Sequence, residues 1–450
     1  MTSYDIKPIA FYLPQYHQIK ENDMWWGEGF TEWTNVKKAK PNFEEHNQPH
    51  VPLSPPTGLG YYDLRSQEVR ERQAELAKQN GIFGFCYYYY WFNGKRLLET
   101  PLNEVLRTGA PDFPFCVCWA NENWTRTWDG NEKSILMEQN YDNDSFKNFI
   151  QDLIPTLKDP RYIQVMGKPM LLVYRVDLIP DCRNVVKLWR EEAQKQGLKD
   201  LYLCAVQFKN INPLIYGFDA AVEFPPHQFI NQYTLYTQEL KILNKDFKVD
   251  GVLDYKKTVH FALNKQIPNY PFYRGIIPAW DNTARRQNTP HLFIGSNPKL
   301  YGYWLSEIIR QTYENIHTHD KFIFINAWNE WGEGCHLEPD VQHGHQYLET
   351  TLNSILNTNC DARTILEMQD ADIFKSEDGK TILQIIERQQ RSLWAFANDL
   401  RQSNNKNINS SISFLTFFKN LLRQKSKIKT FLKKILPTGI RNYLSRKLWT

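Results

Sequence analysis

Glu330 and Glu333 lie three residues apart in the stretch FIFINAWNEWGEGCHLEPD, Phe322 to Asp340. Two carboxyls held close together have pKa values pushed apart, so one can give a proton while the other takes one. The neighbouring tryptophans, Trp328 and Trp331, offer flat apolar walls that suit the faces of sugar rings. Phe322, Ile323, Phe324 and Ile325 form an apolar run of the kind a strand buried on both faces needs. Gly332 and Gly334 then break any helix, which puts the carboxyl pair on a loop at a strand's carboxyl end. On spacing alone the same acids also read as solvated groups on a surface loop.

The elements that must position this pair are legible as a repeating pattern. Strand-like runs occur at Ile9–Leu13, Ile82–Trp91, Phe115–Trp119, Met170–Tyr174, Leu201–Val206, Ala220–Phe224, Arg274–Pro278 and Phe322–Ala327. Segments with helical spacing lie between most of them, among them Arg65–Asn80, Asp144–Leu157, Asn184–Gln196 and a stripe through Leu305, Ile308, Ile309 and Thr312. Strands alternating with helices in this number predict an α/β fold, a (β/α)8 TIM barrel. Loop insertions are expected at Lys20–Leu59 and Phe229–Asn269. A doubly wound open sheet is the alternative, weakened by the lack of a GxGxxG or GxxxxGK[ST] phosphate loop.

In a barrel, function collects at the carboxyl ends of the strands. Those ends carry Gln15 and His17; Tyr88, Tyr90 and Trp91; Asn121, Glu122 and Trp124; Arg175; Glu223 and His227; Trp280 and Asp281; and Asn329 beside the carboxyl pair. The rim is polar, acidic and aromatic with few bases, which suits a neutral polyhydroxylated ligand better than a phosphate or nucleic acid. Loop starts are polar in any protein; the density of tryptophan beside carboxylates favours the sugar reading. Arg175 either steers an anionic sugar or pairs with a nearby acid, and His17 and His227 read as sugar contacts or core groups. His336, Glu338, Asp340, His343 and His345 match no standard metal spacing, so neither a metal nor a cofactor is expected.

Composition sets bounds. The chain has 450 residues with 14 Trp, 24 Tyr and 26 Phe, a content that fits aromatic-lined pockets or a heavy core. Its seven cysteines have no repeating spacing and do not read as a disulfide framework. The first residues show no basic segment followed by an apolar one, and no run of 18 apolar residues occurs, so a cytoplasmic location is expected.

Seven ordered blocks carry a resemblance. They are AFYLPQYH (Ala10–His17), NDMWWGEGFTEWTNV (Asn22–Val36), GFCYYYYWFNGKRLLE (Gly84–Glu99), CWANENWTRTWDG (Cys118–Gly130), EFPPH (Glu223–His227), WDNTARR (Trp280–Arg286) and NAWNEWGEGCHLEPD (Asn326–Asp340). Over roughly residues 5 to 355 the chain resembles the WbsX-type glycosyltransferases of bacterial surface polysaccharide biosynthesis, relatives of glycoside hydrolase family 99. The resemblance implies a (β/α)8 barrel, and it adds Tyr12, Trp33, Trp119 and Trp331 to the residues expected to bind substrate. Family 99 enzymes cleave α-mannosides within a chain, with retention. By resemblance, Glu330 is the base that deprotonates the sugar 2-hydroxyl, and Glu333 is the general acid/base at the leaving oxygen. This differs from the usual retaining pair, in which one carboxylate itself becomes covalently linked. The implied function is glycosidic-bond chemistry, hydrolysis or transfer, in surface polysaccharide or O-antigen assembly. A catalytically inert carbohydrate-binding protein with the same cleft is the rival reading.

Three regions are expected: a catalytic domain at 1–358, a helical extension and linker at 359–405, and a basic amphipathic tail at 406–450. Residues 401–450 hold 12 Lys/Arg and no Asp/Glu, interleaved with Phe, Leu and Ile. Such a segment suits the surface of an anionic membrane rather than nucleic acid, with a helix that binds a protein partner as the competing reading. The expected partners are therefore an oligosaccharide or lipid-linked glycan and, through the tail, the inner-membrane surface.

Overall fold

The computed structural model describes residues 6–126, 131–315, 317, 318 and 320–356. Its centre is a closed barrel of eight parallel strands: β1 (Ile6–Tyr12), β2 (Gly84–Phe92), β3 (Phe115–Trp119), β4 (Lys168–Val173), β5 (Tyr202–Gln207), β6 (Ala220–Glu223), β7 (Phe272–Ile276) and β8 (Lys321–Ile325). Each strand pairs with the next, and closure comes from β8 returning to β1, with Ile6 opposite Lys321 and Ala10 opposite Ile325. The eight expected runs fall on these strands, shifted by a few residues at their ends. The doubly wound alternative is excluded by the closure.

Outside the strands lie α1 (Gln67–Gln79), α2 (Thr100–Thr108), α3 (Asn143–Leu157), α4 (Cys182–Lys195), α5 (Tyr255–Asn264), α6 (Pro298–Glu314) and α7 (Gln346–Leu356). Four of them start where a short polar side chain satisfies a free backbone donor. Ser66 accepts from the Val69 amide, Asp142 from Ser145, Asp254 from Lys257 and Asn297 from Leu300. The expected insertion at Phe229–Asn269 divides in two. Its second half holds α5, a crossover helix of the barrel. Its first half ends in a short strand, Val252–Asp254, paired in parallel with Leu292–Ile294. A hairpin, Trp124–Arg126 against Asn131–Met137, follows β3 and was not expected.

β2 shows how strand period 2 sorts its aromatic residues. Tyr88 meets Phe11 of β1 with ring centroids 5.6 Å apart. Phe11 also touches Phe324 of the neighbouring β8 and Phe224, just past the end of β6 on the far side, so this set fills the interior. Tyr89 and Trp91 point the other way and pack on Phe149 of α3. Both faces of each strand are covered, and so nearly all of β2 and β3 is buried. The expected extension at 359–405 and tail at 406–450 lie outside the described residues.

Candidate active site

Beyond β8 the chain forms a tight reversal. Asn329–Glu330 pairs antiparallel with Cys335–His336, and a single 3-10 turn, Trp331–Glu333, joins them. The turn depends on its glycines. A Cβ at Gly332 would meet Glu32 Oε1 at 2.1 Å, and Gly334 has φ +56°. The turn is fastened at several points. Asn329 accepts from the Leu13 amide at 2.7 Å and donates to the Leu13 carbonyl at 3.0 Å, mimicking a strand partner for the end of β1. The Tyr16 hydroxyl donates to the Asn329 carbonyl at 2.8 Å and accepts from the Trp331 amide at 3.0 Å. The Trp331 indole donates to Glu338 Oε2 at 2.7 Å. Glu338 also accepts from the Tyr62 hydroxyl and from Gln73. Burial pushes its carboxyl up to about 7, against the pull of those donors.

Arg285 holds the carboxyl pair. Its Nη2 lies 2.7 Å from Glu330 Oε1, its Nη1 2.8 Å from Glu333 Oε1, and its Nε 2.9 Å from Glu32 Oε1. One guanidinium thus spaces three acids, a role its planar fork permits and a lysine could not fill. The two acids are not equivalent. The Glu330 side chain is 6 % exposed and that of Glu333 is 23 %. Burial raises the Glu330 carboxyl well above the ordinary range and also raises Glu333, while Arg285 opposes both shifts. Burial favours the protonated form of each carboxyl while Arg285 favours the ionised form, and a pair balanced in this way can alternate between donor and acceptor.

The pair opens onto a cleft of about 270 Å³ lined by Tyr88, Tyr90, Trp124, Glu122, Tyr174 and Trp26 among others. Of the residues expected to bind substrate, Tyr88, Tyr90, Glu122 and Trp124 line this cleft with Glu330 and Glu333. Arg175 stands behind Glu122 and is already engaged: it pairs with Glu122 and, at 2.8 Å, with Asp177, and it lies over the Phe208 ring. Asn121 is buried and bonds both backbone groups of Arg175. Trp280 and Asp281 line a second, adjoining cavity. There Asp281 accepts from His46 and Gln48 at 2.7 Å each; burial alone would raise its carboxyl, but His46 holds it down at about 2.

The other expected residues are placed away from the cleft wall, for reasons visible in the packing. Tyr12, Trp91 and Trp119 sit on the helix-facing phase of their strands. Tyr12 donates to Gln73, Trp91 to Asp152, and Trp119 stacks on Phe149 at 4.2 Å. Glu223 also faces the helices, and Arg274 Nε lies 2.8 Å from it. Trp33 packs behind the turn on Tyr16 and Trp331, with its indole donating to the Tyr62 carbonyl. Asn329 and Trp331 fasten the turn as described. His17 is buried, and desolvation lowers its pKa to about 4. His227 packs between Phe208 and Phe224 and is lowered to about 4 by the same cause.

Sequence reasoning missed Arg285 and Glu32 as parts of the site, while Gln15 was expected at the rim. Gln15 donates to the Tyr90 hydroxyl at 3.1 Å, on the cleft wall. A signal for Arg285 existed: Asn326–Asp340 carries four acids and no Lys or Arg, so burying it demands a cation from elsewhere in the chain.

The Glycosyltransferase WbsX family profile matches residues 8–351. Two curated relatives, each named Uncharacterized protein WxcX, come from strains ATCC 33913 and B100 of Xanthomonas campestris pv. campestris. They are 40% and 39% identical over 348 residues, 77% of this chain and 49% of the relative, so the chain spans about half the length of the curated relatives it matches. Among solved structures, the GH99 endo-alpha-mannosidase from Bacteroides thetaiotaomicron is 16% identical with a TM-score of 0.48, covering 81% of this chain and 99% of that one. A glycoside hydrolase-like protein is 16% identical with a TM-score of 0.49, covering 78% and 94%.

Proposed function

The chain belongs to the WbsX glycosyltransferase family, a carbohydrate-active family, and we propose that it makes or breaks a glycosidic bond at Glu330 and Glu333 by a retaining route. The observation that carries this reading is the shared guanidinium: Arg285 holds both carboxyls at the cleft, Glu330 the more buried and Glu333 the more exposed. Glu333, the more exposed, protonates the leaving oxygen and later deprotonates the incoming hydroxyl. Glu330 takes the proton of the sugar 2-hydroxyl, whose oxygen attacks the anomeric carbon as the leaving group departs. Water or an acceptor hydroxyl then opens the internal ring with retention, and Glu330 returns its proton to the sugar O2. Tyr88, Tyr90 and Trp124 supply apolar faces for the sugar rings.

The substrate is an oligosaccharide or lipid-linked glycan of surface polysaccharide or O-antigen assembly, handled at the cytoplasmic face of the inner membrane. The basic segment 411–450, outside the described residues, would tether the enzyme there, each engaged Lys or Arg contributing about 1 kcal/mol. A chain ending at residue 405 should then lose sedimentation with anionic liposomes; equal sedimentation of both forms rejects the tether.

Leaving-group dependence tests the chemistry. With an activated aryl leaving group, cleavage needs little protonation, so Glu333→Gln should be partly rescued and Glu330→Gln should not. Equal losses for both variants on activated and natural substrates reject the division of roles. Tight glycan binding without turnover on any substrate favours the inert-binding reading instead.

A further inference from the structure

Behind the catalytic turn, two segments far apart in sequence are laced together. The Leu53 amide donates to the Pro339 carbonyl and the Val341 amide to the Val51 carbonyl, each at 2.9 Å, and Pro52 bridges to Asp340. The lacing brings His50, His336 and Asp340 to one wall of the second cavity, with one potential ligand atom from each lying within 4.8 Å of the others.

The protons on this cluster can be assigned. His336 Nδ1 lies 3.0 Å from the Glu338 carbonyl oxygen, which can only accept, so Nδ1 carries the hydrogen and Nε2 presents a lone pair. That lone pair faces His50 Nδ1 at 3.2 Å and Asp340 Oδ2 at 3.8 Å. Asp340 Oδ1 is occupied by the His343 amide, which leaves Oδ2 for the cluster. His343 Nδ1 stands 3.7 Å from the same Oδ2 and has no hydrogen-bond partner. His46 is different: it accepts from the Asn42 amide at Nδ1 and meets Asp281 at Nε2, so both its nitrogens are used.

We propose that His50, His336 and Asp340 bind a divalent transition-metal ion of the zinc class, with His343 or water as the fourth ligand. With the His50 hydrogen on Nε2, lone pairs of His50, His336 and Asp340 converge on one point and call for a cation between them; with it on Nδ1, His50 donates to His336, and an ion would replace that hydrogen bond. Separations of 3.2 and 3.8 Å bracket the edge of about 3.3 Å that a tetrahedral ion with bonds of about 2.0–2.1 Å requires. Two imidazoles with one carboxylate select Zn²⁺, Co²⁺ or Ni²⁺ over Mg²⁺ or Ca²⁺. The Glu338 carbonyl and the His343 amide supply the outer contacts that orient such ligands. The ion's role is structural. It ties the 50–53 segment to the catalytic loop, and the His336 ring stacks on Trp331 at 3.6 Å, one residue from Glu330.

The test uses the full-length chain without a polyhistidine tag, stripped with chelator and dialysed. Zn²⁺ uptake is read by elemental analysis after equilibrium dialysis, and Co²⁺ by its visible absorption. One equivalent should bind, with the intense spectrum of a tetrahedral site. His50→Ala and Asp340→Asn should each weaken binding roughly tenfold or more, and His345→Ala, at a nearby half-buried histidine outside the cluster, should not. Far-UV circular dichroism identifies any variant that fails to fold; the remaining variant and the wild-type spectrum then decide. Negligible uptake by the wild type at micromolar Zn²⁺ overturns the proposal, as does unchanged affinity in a folded His50→Ala or Asp340→Asn protein.

Discussion

Replacing Arg285 with methionine removes the cation that Glu32, Glu330 and Glu333 share, while keeping a side chain of similar reach. The guanidinium side chain is 10 % exposed, and its partners are 0, 6 and 23 % exposed. Glu32 and Glu330 are therefore left as buried charges, whereas water can screen part of Glu333. Removing one partner of a buried pair costs about 3–5 kcal/mol, and two well-buried partners place this variant at the upper end. The cost must depend on pH. Glu330 and Glu333 already have folded-state pKa values raised by burial above the unfolded value of about 4.3, and loss of Arg285 removes what opposes that rise. A raised carboxyl costs nothing below the unfolded pKa, where both states are protonated, and its stability is lost as pH rises through the folded pKa. Urea unfolding of wild type and variant, compared at about pH 5.5 and about pH 8, should give the larger difference at pH 8. Adding Glu32→Gln to Arg285→Met should recover part of the loss, because one of three orphaned charges is gone. A difference below about 1 kcal/mol, the scale of a surface ion pair, would refute the argument. So would a difference that does not change with pH.

Gly332→Ala should cost about 1–3 kcal/mol in unfolding free energy and depress turnover, since its methyl would meet Glu32 Oε1 at 2.1 Å; wild-type stability and rate would contradict the role of that close approach. Glu338, raised to about 7 by burial, contributes stability that is full below about pH 4.3 and lost as pH rises through about 7. Removing a donor to it with Tyr62→Phe should steepen the fall in urea midpoint between about pH 5 and 8. Glu223→Gln should destabilise the barrel by about 3–5 kcal/mol by leaving Arg274 without its carboxylate, yet calorimetric titration of the folded variant with glycan should match wild type.

The barrel was legible because its evidence is local. Most of the strands announce themselves in a short run of apolar residues, and the carboxyl pair sits three residues apart on one turn. The faces of the strands were not legible. β2 reads Tyr-Tyr-Tyr-Tyr-Trp from Tyr87 to Trp91, and both faces are buried, one in the barrel and one under α3, so hydrophobicity cannot separate Tyr88 and Tyr90 from Trp91. Only the phase of the alternation does that, and the phase is set by registers such as Ile9 against Gly84. The same limit hid Glu223, whose odd place on β6 turns it towards Arg274. It hid Arg285 and His50 in another way. Arg285 reaches Glu330 across 45 residues and Glu32 across 253, and His50 reaches His336 across 286. Contacts of that span leave no periodicity in any window. What the sequence does carry is the deficit they fill: a stretch of buried acids without a base, and histidines beside an aspartate without a partner. A charge deficit in a segment destined for burial specifies that a counter-charge exists and what chemistry it has, and the fold alone decides which residue supplies it.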